Sequence, residues 1–236
     1  MSERTTRKLA IFGATGRTGR QLLALSDSKG LQVSALARVP ESLSNLRNPP
    51  AVTKGTITDP QAVDTVVAGS DTVLSALGRD KSSPPDLMTV AARNMVTAME
   101  KSGIRRIVVL TNTAVVDPTD APSLQHKLLR VVLSVANGSL KRDSAVAAKI
   151  ISDSGLDWTL VRAPILTDGP KTGAYRVGRL DREIPLRVSR ADIAEFMLSC
   201  ALDRRYVREM PAIGGAPSRQ VESKGEESNP SGSVVL

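Results

Sequence analysis

The feature that most constrains this chain is a glycine-rich turn near its start. Residues 13–19 read GATGRTG, follow the apolar run KLAIF and lead into an amphipathic helix. Glycines at this spacing permit a tight turn, close approach of the backbone to a pyrophosphate, and close packing of helix on strand. The N-terminus of the helix adds unpaired amides and a partial positive charge. The turn therefore predicts a dinucleotide-binding site at the first strand–helix connection.

Beyond this turn, short apolar strands alternate with amphipathic helices, as in a parallel sheet with crossover helices. We predict strands at residues 8–12, 31–36, 51–53, 72–76, 106–110 and 158–161. We predict helices at about residues 16–28, 40–46, 60–68, 86–102, 123–137, 141–154 and 191–202. Right-handed crossovers between such units predict an α/β fold, a Rossmann-type doubly wound parallel sheet.

The domain organisation follows from the same pattern. We expect residues 1–214 to form a single NAD(P)-binding domain, with its substrate region at about residues 112–142 and 163–190. From about residue 163 onward the sequence is loop-rich. Residues 215–236 are rich in Ser, Gly, Pro and Glu, so they are expected to form a disordered tail that cannot bury enough apolar surface to fold.

Composition excludes several classes of function. The net charge is +8, but the basic residues form no long run and aromatic residues make up only 2% of the chain, which argues against nucleic-acid binding. No apolar run approaches the length of a membrane span, and the start of the chain lacks a secretory signal, so we expect a cytoplasmic protein. One His and one Cys argue against a metal site, and Cys200 lies in an apolar helix where burial is expected. Nothing in the sequence indicates the oligomeric state.

The residue after the second predicted strand bears on the choice of cofactor. Arg38 lies 19 residues beyond Gly19, where an acidic residue would bind the ribose hydroxyls of NAD and an arginine suits a 2′-phosphate. The alternative is a solvated arginine at a strand end. We therefore predict NADP(H) as the cofactor.

Four segments together carry a family resemblance: GATGRTG, ARVPESL, SALG and SGLDWTLVRAPILTDGPKTGAY. They resemble the atypical short-chain dehydrogenases/reductases, in particular the NmrA-like and flavin reductase (biliverdin-IXβ reductase-like) branch, over roughly residues 7–214. The resemblance implies an NADP-binding Rossmann fold with a small C-terminal substrate region, and a set of cofactor contacts. The implied residues are Gly13, Thr15, Gly16, Arg17, Thr18 and Gly19 at the phosphates, Arg38 at the 2′-phosphate, Leu77 and Gly78 on the adenosine side, and Thr111, Pro164 and Ile165 at the nicotinamide.

The sequence departs from that family at the proton-transfer position. Short-chain dehydrogenases commonly carry Tyr-x-x-x-Lys, but Ala145 lies four residues before Lys149. Where a serine often follows the fifth strand, the chain has Thr113. The flavin reductase branch also dispenses with the tyrosine, because hydride passes directly to an electron-poor acceptor.

Five residues are candidates for catalysis. His126 and Arg130 are four apart on the predicted helix 123–137, which would form a flap over the nicotinamide; the alternative is a solvated helix face. Asp168 is an acid/base candidate or a turn former, and Lys149 would contact the nicotinamide ribose or cap a helix. Thr113 is the remaining polar candidate.

We expect an NADPH-dependent reductase that passes hydride to a conjugated or cationic acceptor: a flavin, quinone, enone or iminium. Its substrate would be a small molecule, as opposed to a macromolecule, with a bulky and hydrophobic structure. Two alternatives stay open: an NADP-bound cyclase in natural-product biosynthesis, and a non-catalytic NmrA-like redox sensor that acts through a protein partner.

Overall fold

The computed structural model describes residues 7–80, 82–124, 128, 138–181 and 183–215. The strands are β1 (Lys8–Phe12), β2 (Gln32–Ala37), β3 (Ala51–Lys54), β4 (Thr72–Ser75), β5 (Arg106–Asn112), β6 (Asp157–Ala163), β7 (Ile165–Thr167), β8 (Tyr175–Gly178), β9 (Arg187–Ser189) and β10 (Ala212–Gly215). The α-helices are α1 (Arg17–Ser28), α2 (Pro60–Val67), α3 (Leu87–Lys101), α4 (Gly138–Asp153) and α5 (Arg190–Leu202). A 3₁₀ turn, Pro40–Leu43, follows β2.

The main sheet has the strand order β3-β2-β1-β4-β5-β6-β10-β8. Its neighbours run parallel except β8, which is antiparallel to β10. The chain moves from β1 outward to β3 and returns to β4 on the other side of β1, so the strand order reverses between β1 and β4. A ligand crevice forms at such a reversal, outside the carboxyl ends of the strands. The topology confirms the predicted Rossmann-type doubly wound sheet.

Both faces of the sheet are covered by helices, and the alternation along β1 shows it. Ala10 and Phe12 belong to the core packed under α2, α3 and α4, whereas Leu9 and Ile11 belong to the core under α1 and α5. A strand buried on both faces has no solvent side, so it reads as a continuous apolar run rather than an alternating one. That run is what identified β1 from the sequence.

The C-terminal region contains more regular structure than the sequence predicts. After β6 the chain forms β7 and β9, which pair in parallel, and β8 and β10, which extend the main sheet. The expectation of a loop-rich region was wrong here, because strands of three or four residues carry too few positions to show a period.

A buried ion pair fixes the segment that follows β5. The Nη1 and Nη2 atoms of Arg162, in β6, lie 2.5 and 2.8 Å from the two carboxylate oxygens of Asp120. The two side chains are only 0% and 3% exposed. Asp120 also accepts a hydrogen bond from the amide of Leu180. The pair therefore ties the chain after β5 to β6 and to the loop after β8.

Two expectations fall on residues that the structure does not describe. Most of the predicted helix 123–137, including His126 and Arg130, lies outside the described residues, as does the predicted tail beyond residue 215. Within that helix, Leu124 and Leu128 are described, and both are exposed.

Candidate active site

The three glycines of the turn have different neighbours. Gly13 has a φ of +76°, and a Cβ placed on it would lie 2.6 Å from the carbonyl oxygen of Ala76. A Cβ on Gly19 would overlap the carbonyl oxygen of Gly13. On Gly16 it would meet only the Gly13 oxygen, at 3.2 Å. Gly13 and Gly19 are thus required by the fold itself, whereas the space above Gly16 is open to a ligand.

The helix that follows this turn has a bare N-terminus. Gly16 is the N-cap of α1, and because glycine has no side chain, no side-chain oxygen accepts a hydrogen bond from the first-turn amides. Thr15, Gly16 and Arg17 are exposed, whereas Thr18 and Gly19 are buried. The amides of the first turn, together with the helix dipole, form a site suited to a phosphate. This geometry fits the pyrophosphate of a dinucleotide.

Arg38 lies directly after β2, where the sequence predicts it. Its Nη2 atom is 3.6 Å from Oδ2 of Asp80, and both side chains are largely exposed. Hydrogen bonds from Ser82 and Ser83 lower the pKa of Asp80 to about 2, so this carboxylate is ionised. Because the pair is exposed, Arg38 is free to turn to a phosphate at little cost.

A cavity of about 280 Å³ opens at the carboxyl ends of β4, β5 and β6, between α3 and α4. Its polar lining residues are Ser75, Arg79, Thr111, Asn112 and Ser144, and its apolar ones include Leu77, Met88, Ala91, Met95, Ala147, Ala148, Ile151, Pro164 and Leu166. Arg79 is the only charged residue among the described residues of this wall. The cavity is therefore an apolar chamber with a few hydrogen-bonding groups and one cation, as ligand pockets commonly are.

Several predicted cofactor residues lie on this wall. The structure brings Leu77, Gly78, Thr111 and Pro164 together around the cavity. Ile165 is not among the lining residues and is partly exposed, while its neighbour Leu166 takes the place on the wall. The assignments of these residues to parts of a cofactor stay predictions.

Asn112 and Ser144 form a polar pair that sequence reasoning did not select. The side-chain nitrogen Nδ2 of Asn112 donates a hydrogen bond to the Ser144 hydroxyl at 3.1 Å. The side-chain oxygen of Asn112 accepts one from the backbone amide of Ala114 at 2.9 Å. The second bond fixes which end of the amide faces Ser144. The Ser144 oxygen is thereby an acceptor, and the described contacts include no acceptor for its own proton.

Lys149 does not line the cavity, so its position does not support the predicted contact with a nicotinamide ribose. Its Nζ atom lies 2.9 Å from Asp153 on the outer side of α4, and the side chain is 77% exposed. Ala145 is exposed as well. The face of α4 turned to the cavity carries Ser144 and Ala148, one position earlier in the helix. Ser144 and Ala148 are four residues apart, like the tyrosine and lysine of the Tyr-x-x-x-Lys motif, but neither is a tyrosine or a lysine.

Asp168 also lies outside the cavity wall, in two ion pairs. Its oxygens lie 2.6 Å from Nη1 of Arg17 and 2.7 Å from Nη1 of Arg190. Arg190 is the first residue of α5, and only 13% of its side chain is exposed. Asp168 therefore links the glycine turn to the C-terminal region instead of facing a substrate, so its prediction as an acid/base group is not supported by its position.

The loop that carries Asp168 is itself held by a buried carboxylate. Asp192 accepts hydrogen bonds from the amides of Thr172 and Gly173, each at 2.9 Å, and from the Thr172 hydroxyl at 2.8 Å. Burial would raise the pKa of Asp192, but the hydrogen bonds from Ser189, Gly173 and Thr172 outweigh burial and lower it. An ionised Asp192 thus fixes the position of residues 168–174.

Thr113 and Cys200 are both buried away from the cavity wall. Thr113 is 2% exposed, whereas the preceding residues Thr111 and Asn112 are the ones that line the cavity. Cys200 is fully buried, as expected, and burial raises the pKa of its thiol to about 11. Neither side chain is placed to take part in chemistry at the cavity.

The described residues contain neither a metal-binding cluster nor a membrane-spanning helix. Within them, no group of three or more His, Cys, Asp or Glu side chains is arranged to hold a metal ion. In the same part of the chain, no helix is long and apolar enough to cross a membrane.

Comparison with known proteins agrees with this geometry. The sequence profile of a family described as NAD(P)H-binding matches residues 13–204. An uncharacterized chloroplastic protein of Arabidopsis thaliana is 26% identical over 226 residues, which cover 91% of this chain and 80% of the relative. A (4-alkanoyl-5-oxo-2,5-dihydrofuran-3-yl)methyl phosphate reductase of Streptomyces griseus is 29% identical over 155 residues, 65% of this chain and 46% of the relative.

A solved structure shows the same fold at lower identity. ChuY, an anaerobillin reductase of Escherichia coli O157:H7, superposes with a TM-score of 0.74 over 90% of this chain and all of its own, at 22% sequence identity. At this identity the likeness establishes the fold alone.

Proposed function

Because the chain belongs to the NAD(P)H-binding family, we propose that it is an NADPH-dependent reductase that passes hydride to a conjugated or cationic acceptor. The observation that carries the proposal is the cavity. It lies at the carboxyl ends of β4–β6 next to the glycine turn, its walls are mostly apolar, and its described residues include no carboxylate, histidine or lysine. A wall of this kind suits an acceptor that needs little acid assistance, such as a flavin, quinone, enone or iminium.

The residues that would hold the cofactor are those of the turn and the end of β2. The first-turn amides of α1 and Arg17 would bind the pyrophosphate, and Arg38 would bind the 2′-phosphate that distinguishes NADPH from NADH. When bound, the dinucleotide supplies the hydride. The protein orients the two reactants in a chamber with apolar walls and keeps water away from them.

Ser144 would assist the acceptor with a hydrogen bond. Because its oxygen accepts from Asn112, the Ser144 hydroxyl is free to donate to an oxygen of the acceptor, where negative charge develops as hydride arrives. A preorganised donor in an apolar cavity stabilises such charge more than the same donor in water. The proton that completes the reduction would come from solvent at the mouth of the cavity.

The reported relatives support a reducible conjugated acceptor. The Streptomyces protein is named as reductase of a dihydrofuran that carries an oxo and an alkanoyl group, and the E. coli protein is named as a reductase too. An enone-type acceptor fits the first of these names. The comparisons give no support to the ring-forming alternative, and we do not propose it. The cytoplasmic location and the absence of nucleic-acid and membrane partners stay predictions.

The redox-sensor alternative is separated from the reductase by one experiment. Protein and NADPH are incubated with a panel of flavins, quinones, enones and iminium compounds, and the loss of NADPH absorbance is followed. A reductase oxidises NADPH with at least one class, at a rate that saturates with acceptor concentration. Tight NADPH binding without oxidation by any class would contradict the proposal and favour a sensor.

A further inference from the structure

Arg79 has a buried guanidinium nitrogen that no described group binds. The residue follows β4, in the segment after Leu77 and Gly78, and lines the cavity. Its Nη1 atom is buried and has no hydrogen-bond partner among the described residues. A guanidinium is permanently charged and carries five N–H donors. An unsatisfied donor on a charged group is costly when it is buried, so its place on a cavity wall indicates a partner that arrives from outside.

The neighbouring carboxylate is engaged elsewhere. The Asp80 carboxylate accepts hydrogen bonds from Ser82 and Ser83 and lies 3.6 Å from Arg38, so its described partners do not include Arg79. The described wall of the cavity contains no other charged residue. The cation is therefore uncompensated within this part of the protein, and the apolar lining of the cavity, which includes Met88 and Ala91, strengthens its attraction for an anion.

From this we infer that Arg79 anchors an oxyanionic group, a carboxylate or a phosphate, on the acceptor. This rests on the proposed function and narrows its substrate class to conjugated acceptors that carry such a group. The phosphates of the dinucleotide have sites of their own at the first turn of α1 and at Arg38, which leaves the Arg79 cation for the acceptor. A planar guanidinium binds an oxyanion through two parallel hydrogen bonds, which fixes orientation as well as affinity.

Matched flavin pairs test the inference by equilibrium binding to the protein saturated with NADP⁺, so that no turnover is needed. FMN and riboflavin share one isoalloxazine ring and differ by a phosphate; carboxymethyl-lumiflavin and lumiflavin differ by a carboxylate. We expect the anionic member of at least one pair to bind at least ~10-fold more tightly, as a charge-assisted hydrogen bond implies. The pair in which the anionic member binds more tightly identifies the bound group as a phosphate or a carboxylate. The ratio of the two affinities within a pair is measured on the wild-type protein, so this first test needs no variant.

Variants then assign the preference to Arg79. Arg79→Met should reduce the ratio to about one, and Arg79→Lys should keep part of it, because lysine retains the charge without the planar fork. Arg93→Met, on the exposed side of α3, is the matched control and should leave the ratio unchanged. Equal binding within both pairs in the wild type would overturn the inference. So would weaker NADP⁺ binding by Arg79→Met with the ratio intact, since Arg79 would then belong to the dinucleotide site.

The two proposals fail in different ways. An Arg79-dependent preference without NADPH oxidation would leave the inference standing and contradict the reductase. NADPH oxidation with equal kcat/KM for FMN and riboflavin, and for the lumiflavin pair, would leave the reductase standing and contradict the inference.

Discussion

Arg17 and Asp168 are 151 residues apart in sequence, yet their side chains form an ion pair of 2.6 Å. Arg17 begins α1 directly after the glycine turn, and Asp168 follows β7 in the C-terminal region. Arg190 binds the second oxygen of Asp168 at 2.7 Å. The carboxylate therefore joins the predicted pyrophosphate site to the loop at residues 168–174, which follows the cavity-lining residue Leu166.

This arrangement predicts a positioning role for Asp168. Asp168→Ala should raise KM for the acceptor, because the loop at residues 168–174 loses its tie to α1, and should lower kcat by less than about tenfold. Loss of a proton donor typically lowers the rate by about 10²–10⁴-fold. Steady-state kinetics that separate kcat from KM check the prediction. Glu183→Ala, which breaks only an exposed contact of 3.5 Å with Arg176, serves as control. A kcat loss in the catalytic range with unchanged KM would show that Asp168 takes part in chemistry after all.

Arg38→Ala should separate the two nicotinamide cofactors. The variant should bind NADPH about 10- to 100-fold more weakly, as expected for a lost charge-assisted hydrogen bond, and should bind NADH almost as before. Titration calorimetry with both cofactors measures the difference. Lys29→Ala, at the far end of α1, removes the same charge and controls for net charge. Equal weakening of NADPH and NADH binding would contradict the 2′-phosphate assignment.

The glycines of the turn should respond differently to a side chain. Gly16→Val should fold with a melting temperature close to that of the wild type, because the backbone is ordinary there and only the Gly13 oxygen is near, but it should lose dinucleotide binding. Gly19→Ala should destabilise the fold itself by about 1–3 kcal/mol, since its Cβ overlaps backbone atoms. Thermal unfolding and cofactor titration of both variants distinguish the two roles. A folded Gly16→Val variant with normal NADPH affinity would place the cofactor elsewhere.

The buried pair of Asp120 and Arg162 should dominate acid stability. Burial would raise the pKa of Asp120, but the hydrogen bonds and charge of Arg162 outweigh it and lower that pKa below the usual value. Its contribution is thus fully present above the ordinary aspartate pKa and is lost as pH falls through the lowered value in the folded state. Asp120→Asn should cost about 3–5 kcal/mol at neutral pH, because Arg162 is left buried and unpaired.

The matched control for this prediction is an exposed pair. Asp64→Asn breaks the contact of 3.0 Å with Lys101 at the surface and should cost less than about 1 kcal/mol. Denaturant unfolding at neutral and acidic pH measures both variants. Equal losses for Asp120→Asn and Asp64→Asn would show that the buried pair is no more important than a surface contact.

The fold up to β6 was predictable because most of its strands contain a short apolar run, as in β1, and the helices between them have an apolar face. The geometry of the glycine turn was predictable because it depends on local sequence: Gly13 takes a positive φ, and Gly16 is the N-cap of α1. The role of Arg38 at a 2′-phosphate stays a prediction. Contacts between distant segments left no local signal, so the pairs of Asp168 with Arg17 and Arg190 were missed.

The orientation of α4 shows a second limit of sequence reasoning. Lys149 was predicted to contact the nicotinamide ribose or to cap a helix, but packing turns the neighbouring face of α4 toward the cavity. Ser144, Ala147 and Ala148, at spacings of three and four, are the small residues that let this face approach the cavity. That pattern was visible in the sequence and would have identified Ser144. No sequence pattern indicates the unpaired Nη1 atom of Arg79, because that feature depends on how the folded chain buries the atom and on the absence of a described partner.

The most direct test of the central claim is a single-turnover measurement of NADPH absorbance. Protein holding one equivalent of NADPH is mixed rapidly with excess FMN, and with one quinone, enone and iminium in parallel. We expect complete oxidation of the bound NADPH with at least one acceptor, a rate that saturates with acceptor concentration, and a slower rate when the transferred hydrogen is deuterium. Bound NADPH that stays reduced with every acceptor would contradict the account.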